Sequence, residues 1–65
     1  MKLIDFKNEN KLNYNELAKM LGIKGANPAA TVRKWCIGER IPRSNNIKNI
    51  QNKTKNKVKA QDFYG

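Results

Sequence analysis

Residues 13–37, NYNELAKMLGIKGANPAATVRKWCI, contain start and stop signals for two consecutive short helices, and these signals decide the fold. Asn13 is a favoured helix N-cap, and Glu16 three residues later can complete a capping box with it. Apolar residues then follow at helical spacing. Gly22 is suited to end this helix, because glycine adopts the left-handed conformation without a steric penalty from a Cβ atom.

A second helix begins after a short connection that contains Gly25. Asn27 is again a favoured N-cap, and Pro28 fits the first helical position, where its missing N–H is not needed. We expect this helix to span residues 27–37 and to stop at Gly38. Two short helices joined in this way are the elements of a helix-turn-helix, which presents its second helix to the major groove of DNA.

The flanking sequence predicts further short helices. One is expected at about residues 3–9, and another starts near Ser44 or Asn45, while Val58 and Phe63 are expected to anchor the tail around a final short turn. No segment alternates at period two for long enough to indicate a sheet. The predicted fold is therefore all-α, a compact bundle of four to five short helices containing a helix-turn-helix, in a single domain that spans residues 1–65.

Helix 27–37 has two chemically different faces when its residues are placed 100° apart. The apolar face is formed by Pro28, Ala29, Val32, Trp35 and Cys36. The opposite face carries small or hydrogen-bonding residues, namely Asn27, Ala30, Thr31 and Lys34, with Arg33 on its flank. Amides, hydroxyls and small apolar groups suit contact with base edges, so these five residues are candidate base contacts. An ordinary hydrated face of an amphipathic helix is the alternative.

The charge of the chain is strongly positive and unevenly distributed. The net charge is +9, and residues 31–65 carry nine of the fourteen basic side chains but only two of the five acidic ones. Such a field favours a polyanion partner, although a solubilising surface is the alternative. The candidate phosphate contacts lie in the connection before helix 27–37 and in the segment that follows this helix. They are Lys24, Arg40, Arg43, Ser44 and Asn45.

Several short motifs together resemble a known family. They are Leu17-Ala18, Leu21-Gly22-Ile23, Val32, Trp35, Gly38, Arg40-Ile41-Pro42 and the ending Thr54 to Tyr64. This combination is similar to the lambda-repressor/Cro-like helix-turn-helix family of phage and bacterial regulators. The resemblance implies a transcriptional regulator, usually a repressor, that binds double-stranded DNA as a homodimer in the cytoplasm of a bacterial host. The chain departs from the family in a connection before Val32 that is longer, and in having Cys36 where an acidic residue is common.

Other classes of function receive less support from the sequence. The absence of histidine, of suitably paired carboxylates and of a glycine-rich phosphate loop argues against an enzyme. One cysteine without histidine offers no zinc site, so we expect neither a metal nor another cofactor. No apolar run is long enough for a membrane span, and Asp5 interrupts any leader-like start. An RNA-binding regulator and a protein-interaction module such as an antitoxin remain as alternatives.

Overall fold

Five α-helices make up the computed structural model, which describes residues 1–64. They are α1 (Leu3–Glu9), α2 (Tyr14–Leu21), α3 (Pro28–Cys36), α4 (Ser44–Lys53) and α5 (Gln61–Tyr64). No strand occurs among the described residues. The helices fit within 26 × 24 × 20 Å, so the expectation of a small all-α bundle is confirmed.

The start of α2 follows from its first turn. The side chain of Asn13 accepts a hydrogen bond from the backbone N–H of Glu16 at 2.8 Å, and the Glu16 carboxylate accepts one from the N–H of Asn13 at 2.9 Å. Both halves of the predicted capping box are therefore present. Gly22 ends the helix at φ 68° and ψ 32°, the left-handed conformation expected for this glycine.

The second predicted helix is also present. Asn27 is its N-cap, Pro28 is its first residue and Ile37 is its C-cap, so the helix and its two caps together span residues 27–37. The chain leaves the helix through Gly38, whose φ of 79° disfavours other residues. The six-residue connection 22–27 lets α3 fold back onto α2, and these two helices form the most extensive helix–helix contact in the bundle.

One apolar core holds the helices together. It joins α1, α2, α3, α4 and the segment before α5 through Leu3, Phe6, Leu17, Ala18, Leu21, Val32, Trp35, Ile50 and Val58. Leu17, Leu21 and Val32 are fully buried, so the apolar faces of α2 and α3 meet at the centre of the molecule. Trp35 is also buried, as expected for a core residue rather than a base-stacking one.

Three hydrogen bonds, made by the side chains of Asn49 and Thr54, fix α4 and the tail on this core. The side-chain amide of Asn49 donates to the backbone carbonyl of Leu21 at 2.6 Å and so ties α4 to the end of α2. The hydroxyl of Thr54 donates to the carbonyl of Ile50 at 2.8 Å and accepts from the N–H of Val58 at 3.2 Å. The tail residue Val58 is thereby held in the core, which confirms its predicted role as an anchor.

Candidate nucleic-acid interface

The polar face of α3 is only partly open to solvent. Asn27 and Arg33 are exposed, whereas Ala30, Thr31 and Lys34 are half-buried. Thr31 and Lys34 lie where neighbouring segments approach α3 and form two polar hollows beside it. Two of the five predicted base contacts, Thr31 and Lys34, therefore line a shaped surface rather than one side of an isolated helix.

The first hollow, here called the Lys24 hollow, joins the α2–α3 connection to α3 and α4. Its lining includes Gly22, Lys24, Thr31, Asn45, Asn46 and Asn49. Asn49 holds this arrangement in place, because its amide is bonded to the carbonyl at the end of α2. The bond fixes α4 relative to the connection that carries Lys24, so one cation and several amides face the same depression.

The second hollow, here called the Arg43 hollow, lies between α3 and the loop that leads into α4. Its lining includes Thr31, Lys34, Arg40, Pro42, Arg43 and Asn46. Thr31 and Asn46 line both hollows, which makes the two a continuous surface. Pro42 is buried and lies between the two arginines, so it restricts the loop conformation that carries them.

The structure brings together six of the ten candidate contact residues. Thr31 is common to both hollows, Lys24 and Asn45 line the Lys24 hollow, and Lys34, Arg40 and Arg43 line the Arg43 hollow. The other four candidates line neither hollow: Asn27, Ala30, Arg33 and Ser44. Base and phosphate candidates therefore share one surface. The candidates at the start and on the outer flank of α3 lie outside the two hollows of that surface.

Asn27 has a structural task in addition to its exposed position. Its side-chain oxygen accepts a hydrogen bond from the N–H of Ala30 at 3.3 Å, and its backbone carbonyl accepts one from the Thr31 hydroxyl at 3.2 Å. The capping bond occupies the amide oxygen, so a ligand at Asn27 meets chiefly the donor end of its amide.

The beginning of α4 is open and electropositive. Arg43 is its N-cap and forms no side-chain capping bond, and the first turn contains no acidic residue. Unpaired N–H groups at a helix N-terminus, together with the helix dipole, attract anions. The residues that line the two hollows include four cations and no carboxylate, so this surface as a whole suits a phosphate backbone.

Asn46 and Asn49 belong to this surface although neither is among the predicted contact residues. Their spacing in the sequence could have indicated this, because two amides three residues apart share one side of a helix. The apolar pair Ile47 and Ile50 occupies the buried side of the same helix. An amide pair next to an apolar pair was therefore the available sign that α4 presents a polar surface.

A third hollow differs from these two in its chemistry. This Ile37 hollow has a volume of about 260 Å³ and is lined mainly by apolar residues, namely Leu3, Trp35, Cys36, Ile37, Ile41 and Phe63. Burial raises the pKa of the Cys36 thiol from its ordinary 9.0 to about 11, while Lys7 lowers it slightly. Cys36 is therefore a protonated, half-buried apolar residue at neutral pH.

Asp62 lies at the edge of the Ile37 hollow. The N–H of Lys59 donates to its carboxylate at 2.8 Å, and the amino group of Met1 lies 3.0 Å from the same oxygen. The hydrogen bond from Lys59 is the main reason that the pKa of Asp62 falls below its ordinary value. The ionised carboxylate thus fixes the beginning of α5 close to the start of the chain.

Comparison of the chain with known protein families, with curated proteins and with solved structures finds no match. None of the helices in residues 1–64 has the length and apolar character that crossing a membrane requires.

Proposed function

We propose that this protein is a sequence-specific, double-stranded DNA-binding regulator, a phage-type repressor without catalytic activity that acts in the cytoplasm of a bacterial host. One observation carries the proposal. Thr31 and Lys34 on α3 share an acid-free surface with cations from the α2–α3 connection and from the loop before α4. Base-contacting and phosphate-contacting groups on adjoining elements are what readout of duplex DNA needs.

In this proposal α2 and α3 are the two helices of a helix-turn-helix, and α3 enters the major groove. Thr31 and Lys34 contact base edges, while Asn27, Ala30 and Arg33 contact the groove beyond the hollows. Lys24, Arg40 and Arg43, with the start of α4 at Ser44 and Asn45, hold the phosphates on either side. Two copies bind half-sites about one helical turn (~34 Å) apart and block transcription by occupying the DNA.

The experiment that tests this function is selection of bound sequences from a random duplex library at near-physiological salt. We expect recovery of a defined motif, with specific binding at least about 10³-fold tighter than binding to unrelated duplex. Enrichment of no motif, or preferential binding of a structured RNA over every duplex in direct competition, would contradict the proposal and favour an RNA-binding regulator.

Two substitutions separate base readout from phosphate contact. Lys34→Ala should cost about 1–3 kcal/mol on the selected site and relax the preference at one or two base pairs. Arg43→Gln should weaken binding to all duplexes about equally and reduce the slope of log affinity against log salt by about one. Lys19→Gln is the matched control, because Lys19 is exposed on α2 and lines none of the hollows. A Lys34→Ala protein with unchanged base preference would contradict the assignment of Lys34.

A further inference from the structure

The exposed apolar side chains of the protein are gathered around the Ile37 hollow. Within residues 1–64 four large apolar residues are exposed, and two of them, Ile37 and Ile41, line this hollow with 52% of each exposed. The other two are Met1, whose amino group is paired with a carboxylate of the lining, and Tyr64, which follows the lining residue Phe63. Single exposed apolar residues are ordinary, whereas a cluster of them around one depression indicates a binding surface.

Cations surround this apolar depression. Lys2 from the start of the chain and Arg40 from the loop after α3 are part of its lining. The ammonium group of Lys7 is close enough to Cys36 in the lining to lower the pKa of the thiol, against the larger effect of burial. Three elements of the fold therefore direct positive charge to one apolar site.

The acidic groups near the hollow do not compensate this charge. Asp62 is the carboxylate of the lining, and it is already bonded to the amino group of Met1 and to the N–H of Lys59. Glu39 precedes Arg40 in the chain but is not part of the lining. Within residues 1–64 no carboxylate forms an ion pair with either lining cation, so both can accept the carboxylates of a partner.

We propose that the Ile37 hollow binds an acidic segment of another protein. One or two large apolar side chains of the segment enter the hollow between Ile37 and Ile41, and its carboxylates lie against Lys2 and Arg40. An apolar anchor in a pocket with a charged rim is the common arrangement of a protein contact. The volume of the hollow, about 260 Å³, is below the range of about 300–1,000 Å³ that small-molecule sites occupy, and it suits side chains of a peptide.

Charge and size favour this partner over other occupants. A second copy would bring a further net charge of +9 against the lining cations, and a nucleic-acid backbone would leave the two isoleucines in water. An interface of standard size buries about 800 Å² on each side, which is about a sixth of the 4572 Å² surface of this chain. The four exposed apolar side chains supply less than this area, so a short segment suffices and its binding is transient.

This site goes beyond the proposed function and does not depend on it. The Ile37 hollow meets the Arg43 hollow at Trp35, Arg40 and Ile41, whereas Thr31 and Arg43 line the polar surface alone. Ile37 lines the apolar hollow alone. Substitutions at Ile37 and Arg43 therefore distinguish binding at one surface from binding at the other.

Selection from a phage-displayed library of random peptides of ~12 residues, on the immobilised full chain, tests the proposal. Counter-selection on the Ile41→Gln protein removes peptides that bind the basic surface elsewhere. We expect the enriched peptides to carry a net negative charge and at least one large aliphatic or aromatic residue. Enrichment of no peptide, or of peptides that lack either feature, would overturn the proposal.

The affinity of the most enriched peptide, measured by fluorescence anisotropy, tests the two parts of the surface separately. Ile37→Gln should weaken binding by about tenfold or more, and Lys2→Gln by about two- to fivefold. Ile4→Gln and Lys19→Gln are the matched controls, because these residues line none of the hollows. Circular dichroism verifies that each variant is folded. Affinity should fall at least about threefold between ~0.05 M and ~0.5 M sodium chloride, since salt screens the attraction.

Arg43→Gln identifies the surface that the peptide occupies. It should leave the peptide affinity within about twofold, because Arg43 does not line the Ile37 hollow. Affinity that Arg43→Gln abolishes and Ile37→Gln retains would assign the acidic peptide to the polar surface and overturn the proposal. Affinity that rises with salt would show an apolar contact without charge recognition and would overturn it equally. Both results concern peptide binding alone, so the preference of the protein for a duplex sequence is decided independently.

Discussion

Thr54 is a buried polar residue, with 2% of its surface exposed. Its hydroxyl pairs with the carbonyl of Ile50 and with the N–H of Val58. Thr54→Val has nearly the same shape but leaves that buried N–H without an acceptor, so we expect a loss of about 1–3 kcal/mol in the free energy of unfolding. Urea denaturation followed by circular dichroism measures this loss.

The control for Thr54 is Thr54→Ser, which retains the hydroxyl and removes one methyl group. This variant should lose about 0.8 kcal/mol or less and remain more stable than Thr54→Val. Equal stability of the valine variant and wild type would show that the hydroxyl does not satisfy the N–H of Val58 in solution. Equal slopes of the unfolding free energy against urea concentration in the two variants would show that their denatured states are comparable.

The sequence does not predict this role of Thr54, and the reason is conformational. The hydroxyl reaches Val58 because Lys55 and Asn56 both adopt left-handed backbone, with φ of 55° and 66°. Asparagine is common in that conformation, but lysine is not, and no glycine marks the turn. Asn13 and Glu16, by contrast, were predictable as a capping pair because both partners lie within one helical turn.

At the scale of single elements, the capping box of α2 supports the start of the helix that packs most closely against α3. Asn13→Ala removes the acceptor for the N–H of Glu16 and should lower the free energy of unfolding by about 1 kcal/mol. Asn15→Ala is the matched control, since it makes the same change at an exposed amide of α2 and should be nearly neutral.

A double-mutant cycle with Glu16→Ala distinguishes a reciprocal box from two independent bonds. We expect the combined loss to be smaller than the sum of the separate losses, because either substitution already weakens the other bond. Unfolding free energies from urea titrations provide the four corners of the cycle. Strict additivity, or an Asn13→Ala protein as stable as the Asn15→Ala control, would contradict the importance of the box in solution.

The boundaries of α2 and α3 were predictable from sequence because caps, proline and glycine act within a few residues of each helix end. The hollows were not predictable in the same way. Lys24 and Asn45 lie 21 positions apart, and they meet because Asn49 is bonded to Leu21, 28 positions away. A contact of this kind depends on how packed helices are oriented, which a local pattern does not encode. The sequence therefore indicated which residues are candidate contacts better than it indicated which of them lie together in the fold.

The whole molecule carries more positive charge than its own ion pairs compensate. Its net charge is +9, and in residues 1–64 one ion pair is present, between the amino group of Met1 and Asp62. Like charges at this density destabilise the compact state by mutual repulsion. A surface of cations without acidic partners is thus retained at a cost in stability, a pattern that favours a polyanion as the binding partner.

This repulsion gives the protein a measurable response to salt. Because sodium chloride screens the repulsion, the melting temperature should rise by about 4–8 °C between ~0.02 M and ~0.5 M salt, equivalent to about 1 kcal/mol for a domain of this size. Differential scanning calorimetry in sodium chloride measures it, at a protein concentration low enough to keep the chain monomeric.

The control is a variant with less charge and an unchanged core. Lys53→Gln combined with Lys57→Gln alters two exposed side chains outside all three hollows and lowers the net charge to about +7. This variant should begin with a higher melting temperature in low salt and gain less as salt is added, since less repulsion remains to be screened. A wild-type melting temperature that falls with sodium chloride would show that favourable charge pairs outweigh the repulsion. The cations of the acid-free surface around Thr31 would then not destabilise the fold. The inference of a polyanion partner from this charge would lose its energetic basis.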